Sequence, residues 1–337
     1  MAQATIRDVA REAEVSVASV SRALNGAENI RADTRARVVA AAEKLGYVPH
    51  AGARSLSMAR AHAIGVVLPD LHGEFFSEIV RGMDKEASAR GFHLLLSNMH
   101  ADLNDAVHAL RAMRGRVDGL VVMAPHLDAA ELMRNMPQNV PAVLVNCRAD
   151  QGTPALLVDN VGGADTMVRH LLATGRRAIA HVTGPSGNLD AEERLAGFRL
   201  SMRRHAGVDD PLVLPGDFSE EAGAAAARAL IAGGQRVDAI FAANDMMAIG
   251  CMLALREAGV SVPEQIAVAG FDDIPVARYL HLTTMRVPIA GIGALAVTRL
   301  TDQLSGRGNP AATELHAPEL EVRATTTAHK KEEGTRT

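Results

Sequence analysis

The stretch TIRDVAREAEVSVASVSRALNG, residues 5–26, decides how the amino-terminal part of the chain folds. Thr5 precedes Asp8 by three residues, the spacing of a capping box, and apolar side chains then follow at helical intervals. Ser16 offers a second hydroxyl cap, and the helical pattern after it stops at Asn25-Gly26. Because only two residues separate the two patterns, we predict two short helices joined by a tight turn.

A third helix is predicted from about Asp33 to Leu45, with Gly46 as its terminator. Three short helices with one tight turn form a helix-turn-helix pattern. Residues 1–60 carry nine Lys or Arg against six Asp or Glu, whereas the rest of the chain carries 26 against 33. This asymmetry favours a nucleic-acid partner for the head, although a solvated helix surface fits so small an excess equally well.

After the head, short β-rich segments alternate with amphipathic helices such as Phe76–Arg90. This alternation predicts parallel sheets covered by helices, and the number of strands favours two doubly wound sheets over one. Ligands of such folds lie beyond the carboxyl ends of the strands. The predicted strands are Ile64–Leu68, His93–Leu96, Gly119–Met123, Ala142–Val145, Leu156–Val158, Ile179–Val182, Ala239–Ala242, Ala267–Ala269 and Leu320–Val322.

Composition excludes several classes of protein. The 337 residues are 48% hydrophobic and 22% charged, which is typical of a globular chain of about two domains. The longest apolar stretches fall far short of the ~18 residues that cross a bilayer, and the amino terminus lacks the pattern of a secretory signal, so we expect a cytoplasmic protein. Cys147 and Cys251 show no disulfide or zinc spacing, and no metal or cofactor is expected. The segment Gly291–Ala296 fits G-x-G-x-x-A but lies in an apolar helical run, which favours helix packing over dinucleotide binding.

Several motifs together are similar to one known family. In the head they are Thr5–Ala10, Val15–Gly26, Leu45–Pro49 and Ala53–Leu56; in the body they are Ile64–Val67, Val117–Leu120, Val158–Asn160, Arg194–Phe198, Ala243–Gly250, Gly270–Asp273 and Leu282–Thr284. In this order the motifs resemble the lactose/galactose-repressor family of bacterial transcription regulators, over about residues 4–328. Val17-Ala18 and Asp190-Ala191-Glu192 look most like the galactose-repressor branch.

The resemblance implies an α/β protein with a small all-helical helix-turn-helix head and a two-lobed, doubly wound parallel-sheet core like that of type I periplasmic binding proteins. Three residues depart from the family pattern, namely Glu14 in the turn, His50 at the start of the hinge, and Gly52 within it. The expected domains are a head at 1–49, a hinge helix at 50–61, a core at 62–328 and a disordered tail at 329–337. Within the core we expect lobe 1 at about 62–160 and 291–320, and lobe 2 at about 161–290 and 321–328.

The second helix of a helix-turn-helix presents its first residues to base edges in the major groove. Val17 and Ala18 fit a thymine methyl group, and Arg22 fits the O6 and N7 atoms of guanine. Leu56 of the hinge fits an apolar wedge in the minor groove, although packing on the chain itself is the alternative. Without the resemblance, the exposed residues of the second helix would be ordinary surface. The full predicted DNA-binding set is Thr5, Ser16, Val17, Ala18, Ser19, Ser21, Arg22, Asn25, Arg54 and Leu56, in which the serines suit phosphate oxygens.

For the core, the resemblance implies an effector pocket at the strand ends. Arg194 would fork onto two hydroxyl groups, Asp272 would accept hydrogen bonds, and Asn244 would do both. Read alone, Asp272 and Asp245 also fit helix caps or structural ion partners. The aromatic candidates are Phe75, Phe76 and Phe218, and the second-tier polar candidates are Asp70, Asn146, Asn188 and Asp190.

The expected function is therefore a ligand-responsive transcriptional repressor that binds a palindromic operator as a homodimer. Its effector would be a small sugar or sugar derivative, and it would not be an enzyme. The alternatives are a sugar-binding transport protein, which would need a signal peptide and no helical head, and an α/β enzyme acting on a sugar, which would need a catalytic motif. The charged tail shows no leucine heptads, so we expect assembly to stop at the dimer.

Overall fold

The computed structural model describes residues 4–24, 30–47, 61–100, 102–127, 129–137, 139–147, 153–307 and 313–327. These residues form two compact units, a smaller one that contains the amino-terminal residues up to Ala63 together with Gly115–Asp118, and a larger one that contains the rest. Asn25, Arg54 and Leu56 of the predicted DNA-binding set lie outside the described residues, as do residues 50–60 of the predicted hinge and the predicted tail.

The smaller unit contains three helices: α1 (Ile6–Glu12), α2 (Val17–Leu24) and α3 (Ala32–Lys44). Thr5 and Asp8 form the predicted capping box at the start of α1, since each side chain accepts a hydrogen bond from the other residue's backbone N–H. Each helix buries one apolar face, and the side chains of Val9, Val20 and Val38 are fully buried where these faces meet. This arrangement is the predicted three-helix head.

The larger unit begins with a six-stranded sheet. Its strands are β1 (Ala63–Leu68), β2 (His93–Asn98), β3 (Gly119–Met123), β4 (Ala142–Val145), β5 (Ala155–Val158) and β11 (Thr313–His316), in the order β11-β5-β4-β3-β1-β2. Strands β1, β3, β4, β5 and β11 pair in parallel. Strands β1, β3 and β4 are buried along their whole length, as expected when helices cover both faces of a parallel sheet. This sheet and its helices are called the first lobe below.

Two helices of the first lobe, α4 (Glu74–Ala89) and α12 (Ile289–Leu304), pack at very short range. A Cβ atom on Gly82 of α4 would lie 1.9 Å from the backbone oxygen of Ala290, and one on Gly293 of α12 would lie 2.3 Å from that of Ile79. Both glycines therefore allow the two backbones to approach. This contact is the helix packing that the sequence favours for the segment that contains Gly293.

A second sheet has four strands, β6 (Ile179–Val182), β7 (Val213–Leu214), β8 (Ala239–Ala242) and β9 (Ala267–Ala269), in the order β7-β6-β8-β9 and all parallel. In its core His181 stacks on Phe198 with ring centroids 4.8 Å apart, and burial lowers the pKa of His181 to about 3. The imidazole is therefore a neutral core ring. This sheet and its helices are called the second lobe, and two parallel sheets agree with the predicted fold class.

The remaining elements complete both lobes. They are helices α5 (Leu103–Met113), α6 (Ala129–Asn135), α7 (Asn160–Ala173), α8 (Leu189–Ser201), α9 (Glu220–Ala232), α10 (Asp245–Glu257) and α11 (Pro275–Tyr279), a π-helical turn (Met202–Ala206), and an antiparallel pair of β10 (Thr284–Arg286) and β12 (Glu319–Glu321). The sequence missed β7, β10 and β11, and it placed the last strand one residue late. Within the described residues, no helix has the length and apolar character to cross a membrane.

Candidate functional sites

In the head, the first turn of α2 presents an exposed face. Ser16 caps this helix, because its hydroxyl oxygen accepts a hydrogen bond from the backbone N–H of Ser19 at 3.1 Å. Val17 is 42% exposed although it is apolar, and Ala18 and Arg22 are exposed beside it. The Arg22 Nε donates to the Ala18 carbonyl at 3.3 Å, which holds the start of its side chain along the helix. An apolar and cationic surface of this kind is available to a partner.

Other predicted contacts of the head have local partners. The Thr5 hydroxyl donates to Asp8 at 2.7 Å, so this side chain also serves the start of α1. The hydroxyl oxygens of Ser16 and Ser19 lie 2.9 Å apart. Ser21 is half-buried. Each of these hydroxyl groups lies in or next to the first two helices.

In the larger unit, five buried polar side chains meet beyond the carboxyl ends of strands from both lobes. They are Asn146 after β4, Asn160 after β5, Asp190 and Arg194 on α8 after β6, and Asp272 after β9. Parallel strands direct the loops at their carboxyl ends to one edge of a sheet, and here the edges of the two sheets face each other. We call this set the cleft network.

Arg194 lies at the centre of the cleft network and is 3% exposed. Its Nε donates to Asn160 Oδ1 at 2.9 Å and its Nη1 donates to the Ala243 carbonyl at 2.6 Å. Its Nη2 forms an ion pair with Asp272 Oδ1 at 3.0 Å. The guanidinium carbon also lies 3.9 Å from the centroid of the Phe271 ring, a cation–π contact. Every nitrogen of this guanidinium is therefore engaged.

Asp190 connects the two lobes. Its Oδ2 accepts a hydrogen bond from Asn146 Nδ2 at 2.9 Å, and its Oδ1 accepts one from Asn160 Nδ2 at 2.9 Å. Asn146 follows a strand of the first lobe, whereas Asp190 belongs to the second. The neighbouring backbone N–H of Leu189 donates to the Pro125 carbonyl of the first lobe at 2.9 Å. Two hydrogen bonds thus join the lobes at the same end of α8.

A third contact between the lobes lies beside them. The Asn188 side chain caps α8, since its Oδ1 accepts from the Ala191 backbone N–H at 3.0 Å. Its Nδ2 lies 3.3 Å from His126 Nε2 on the loop after β3. Burial lowers the pKa of His126, and the Asp190 carboxylate opposes that shift. Sequence reasoning missed both His126 and Asn160, each of which lies within three residues of the end of a strand.

Burial dominates the electrostatics of the two cleft carboxyl groups. Desolvation raises the pKa of Asp272 to about 6, although the Arg194 guanidinium acts in the opposite direction and Asp190 adds to the increase. Desolvation likewise raises the pKa of Asp190, and Arg194 again opposes it. One cation therefore serves two buried carboxyl groups, so that the cleft carries excess negative charge when both are ionised.

Asp245 is a structural partner at the edge of the network. Its Oδ1 accepts from the Thr284 hydroxyl at 2.5 Å, and its Oδ2 accepts from the Ile274 backbone N–H at 2.9 Å. Burial and the nearby Asp272 carboxylate raise its pKa. These bonds connect α10 to the chain around β10, which agrees with the structural reading of this residue.

Three predicted effector residues have unusual backbone conformations. Asn146 has φ 48°, Phe218 has φ 73° and Asp272 has φ 112°, all in a region that non-glycine residues seldom adopt. Such conformations persist only where the surroundings impose them, and they concentrate at functional sites. Here each one follows a strand or precedes a helix that borders the cleft.

The remaining polar candidates have other partners. Asn244 caps α10, since its Oδ1 accepts from the Met247 backbone N–H at 2.9 Å and its Nδ2 donates to the Phe218 carbonyl at 3.0 Å. Asp70 is exposed, and its carboxylate accepts backbone hydrogen bonds from the two residues after it. Asn244 therefore has both polar groups engaged in the second lobe, while Asp70 folds onto its own loop.

The aromatic candidates lie at the start of α4 and in the loop before α9. Phe75 and Phe76 are half-buried and pack edge to face, with ring centroids 5.5 Å apart. The Phe218 ring packs so closely on Gly184 that a Cβ atom there would lie 2.4 Å from it. Among the described residues, the hydrogen bonds of the cleft network reach neither Asp70 nor these rings.

The fold and the cleft together define a protein with a three-helix head and a two-lobed core whose polar cleft lies at the strand ends, and comparison with known proteins assigns this architecture to a family. Residues 5–50 match the profile of bacterial regulatory proteins of the lacI family, and residues 168–326 match a periplasmic binding protein-like domain. The chain is 36% identical over 311 residues to the ribose operon repressor of Escherichia coli (strain K12), covering 90% of this chain and 93% of that protein.

Two further comparisons extend over nearly the whole chain. The HTH-type transcriptional repressor CytR of Escherichia coli (strain K12) is 33% identical over 333 residues, 96% of this chain and 97% of that protein. A crystal structure of the lac repressor dimer bound to operator and the anti-inducer ONPF superposes with a TM-score of 0.88 and 30% identity, covering 97% of this chain and 100% of that one. The chain belongs to the lacI family of bacterial regulatory proteins, which confirms the resemblance seen in its motifs.

Proposed function

We propose that this protein is a transcriptional repressor that binds a palindromic operator as a homodimer and responds to a small sugar or sugar derivative. The cleft network carries the proposal, because it places buried hydrogen-bonding groups from both lobes at the strand ends where α/β proteins bind ligands. The repressor names of the relatives and the operator-bound lac repressor dimer support the same assignment. A repressor of this family acts on DNA in the bacterial cytoplasm, which is the location we propose.

The DNA-binding half of the proposal rests on α2. Its exposed first turn offers Val17 and Ala18 as apolar contacts for thymine methyl groups, and Arg22 as a donor to guanine. One such helix reads few base pairs, so two copies related by two-fold symmetry would read the two halves of a palindrome. The contacts assigned to Asn25, Arg54 and Leu56 remain predictions.

The effector half rests on the contacts between the lobes. A ligand that enters between Asn146 and the second lobe would replace or extend the Asn146–Asp190 hydrogen bond and so favour one orientation of the lobes. We infer that lobe orientation controls the separation of the two hinge segments of a dimer. Typical coupling free energies of about 1–3 kcal/mol would change operator affinity by roughly 5–150-fold.

The two alternative functions are disfavoured. A sugar-binding transport protein has no use for a three-helix head with an exposed recognition face. An enzyme that acts on sugars is disfavoured because the chain belongs to a family of regulatory proteins and its relatives are repressors.

Replacing Arg22 by Ala tests the DNA-binding half. Loss of a bidentate contact to guanine should weaken operator binding by roughly 1–3 kcal/mol and relax the preference for one base pair in each half-site. Fluorescence anisotropy with operator DNA and single-base variants of it measures both effects, and Arg204→Ala, at an exposed position of the second lobe, is the matched control. Equal weakening on all DNA sequences would contradict a base-reading role for Arg22.

A further inference from the structure

We propose that the effector is an uncharged polyhydroxylic compound, and that sugar phosphates and sugar acids are excluded from the cleft. This inference rests on the proposed function and narrows the class of compounds to which the effector belongs. Three independent features carry it: the acidic groups at the helix amino termini that border the cleft, the engagement of the single cleft cation, and the kind of hydrogen-bonding atom left without a partner.

The first feature concerns the helix ends. Phosphate and carboxylate groups bind readily at helix amino termini, where backbone N–H groups and the helix dipole favour negative charge. In this core α7, α8 and α10 are the helices that follow β5, β6 and β8, strands that end at the cleft. Each of these amino termini carries an acidic residue of the chain itself, since Asp159 caps α7 and Asp190 and Asp245 lie in the first turns of α8 and α10.

Asp159 shows how closely one of these carboxyl groups is fitted. Its Oδ1 accepts a hydrogen bond from the Gly162 backbone N–H at 2.9 Å. A Cβ atom on Gly162 would lie 2.2 Å from Asp159 Oδ2, so the glycine leaves the room that this carboxylate occupies. A phosphate group at the start of α7 would have to displace it and would face its charge.

The second feature concerns cations. Each of the three nitrogens of Arg194 already contacts a group of the chain, namely Asn160, the Ala243 carbonyl or Asp272, and its charge is paired with the Asp272 carboxylate. Two other guanidinium groups, those of Arg286 and Arg323, pair with Asp273, the residue after Asp272, at 2.9 and 2.6 Å. The described part of the cleft therefore offers no spare positive charge to compensate an anionic ligand.

The third feature concerns unpartnered atoms. Asn146 is 3% exposed, and its Oδ1 accepts no hydrogen bond from any described residue, because its Nδ2 is held by Asp190. Asp272 Oδ1 is also buried, and its partner is the Arg194 guanidinium at 3.0 Å. A buried acceptor without a donor is costly, so a ligand should supply a donor to Asn146 Oδ1.

Asn146 Oδ1 on the first lobe and the Asp272 carboxylate on the second lobe are both hydrogen-bond acceptors, and they define what a ligand between them must present. Hydroxyl groups donate hydrogen bonds, whereas ionised phosphate and carboxylate oxygens only accept. A neutral polyol meets both acceptors and adds no charge beside Asp190 and Asp272. An anion would meet two acceptors and at least two carboxylates at short range, in surroundings that screen charge poorly.

The test compares neutral ligands with their charged counterparts on the full-length protein. Isothermal titration would use D-ribose, D-galactose and cellobiose beside D-ribose 5-phosphate, D-galactose 6-phosphate, D-galacturonate and inorganic phosphate. We expect at least one neutral sugar to bind and its matched anion to bind about 100-fold more weakly or not at all. An anionic member that binds as tightly as its neutral counterpart would overturn the inference.

Operator binding distinguishes this failure from failure of the proposed function. If an anion bound and changed operator affinity, the repressor function would be supported and the exclusion of anionic ligands would be contradicted. If no member of either set bound, the sugar response itself would be contradicted, and this inference with it.

A variant pair adds a second readout. Asp190→Asn removes one buried negative charge and should reduce the preference for neutral sugar over its phosphate ester by about tenfold or more. Asp210→Asn removes an exposed charge of the same lobe and should leave that preference unchanged. An unchanged preference in Asp190→Asn would show that buried charge does not select the ligand.

Discussion

At the residue scale, the charge of the cleft is set by one guanidinium, that of Arg194, which lies near two buried carboxyl groups. The Arg194 guanidinium joins Asn160, the Ala243 carbonyl, Asp272 and the Phe271 ring in one arrangement, so its partners are fixed before any ligand enters. Sequence motifs indicated Arg194 and Asp272 separately. Their ion pair could not be predicted, because the two residues lie 78 positions apart in the chain and only the tertiary fold brings them together.

His126 and Asn160 were missed for a related reason. A single histidine among thirteen carries little signal, and Asn160 lies next to Asp159 in a motif that indicated family membership rather than a role. Both residues lie within three residues of the end of a strand of the first lobe. Position after a buried parallel strand was therefore the signal that could have found them.

The raised pKa of Asp272 predicts how stability depends on pH. Its folded pKa of about 6 exceeds the unfolded value of 3.8, so the folded state binds more protons between these values. The free energy of unfolding should therefore fall as the pH rises from about 4 to 6, by about 2–3 kcal/mol from this group alone. Urea unfolding of wild type and Asp272→Asn across that pH range gives the difference between their free energies of unfolding, and this difference isolates the contribution of Asp272. A difference that stays constant with pH would contradict a buried, raised carboxyl group.

The positive φ angle of Glu14 predicts that replacing this residue by glycine stabilises the head. Glu14 lies in the turn between α1 and α2 with φ 50°, a conformation that costs a non-glycine residue roughly 1–2 kcal/mol. Glu14→Gly should therefore stabilise the head by a net ~0.5–1 kcal/mol, after the greater freedom of glycine in the unfolded chain is deducted. Glu43→Gly, at an exposed position inside α3, should instead destabilise the head by about 1 kcal/mol. Thermal unfolding followed by circular dichroism tests both, and destabilisation by Glu14→Gly would be the contrary outcome.

At the element scale, buried apolar strands were predictable and more exposed strands were not. The sequence located β1, β3, β4, β6, β8 and β9 because each is a mostly apolar segment that is buried along its whole length. Strand β7 has two residues and β10 has three, and neither of them is buried along its whole length. Strand β11 alternates exposed and half-buried residues at a sheet edge, where pairing with β5 rather than its own composition makes it a strand.

Two glycines of α12 make a matched pair of predictions. Gly293→Ala would place a Cβ atom 2.3 Å from the Ile79 backbone oxygen, whereas Gly291→Ala would meet its nearest neighbour at 3.7 Å. The first should force α4 and α12 apart and lower the free energy of unfolding by about 1–3 kcal/mol. The second should be neutral or stabilise by up to about 1 kcal/mol, because alanine favours a helix over glycine. Denaturant titration of both variants measures their free energies of unfolding. Equal changes in the two variants would contradict the close approach of α4 and α12.

At the scale of the whole molecule, the proposed function requires that the cleft and the head be altered independently. Residues of the cleft network lie in the larger unit, and the exposed face of α2 lies in the smaller one. A substitution in the cleft should therefore change the response to ligand without changing how DNA is read. Domain bounds, and the hinge segment that would carry the signal between the units, remain predictions from the sequence.

The most direct test of this account measures operator affinity of Asp272→Asn with and without the neutral sugar that binds wild type. The substitution keeps the shape of the side chain and removes charge-assisted hydrogen bonds worth about 1.5–3 kcal/mol. Anisotropy titration should show wild-type operator affinity without sugar and no change when sugar is added, while Asp210→Asn should behave as wild type in both. A full sugar response in Asp272→Asn, or loss of operator binding in a folded variant, would contradict the account.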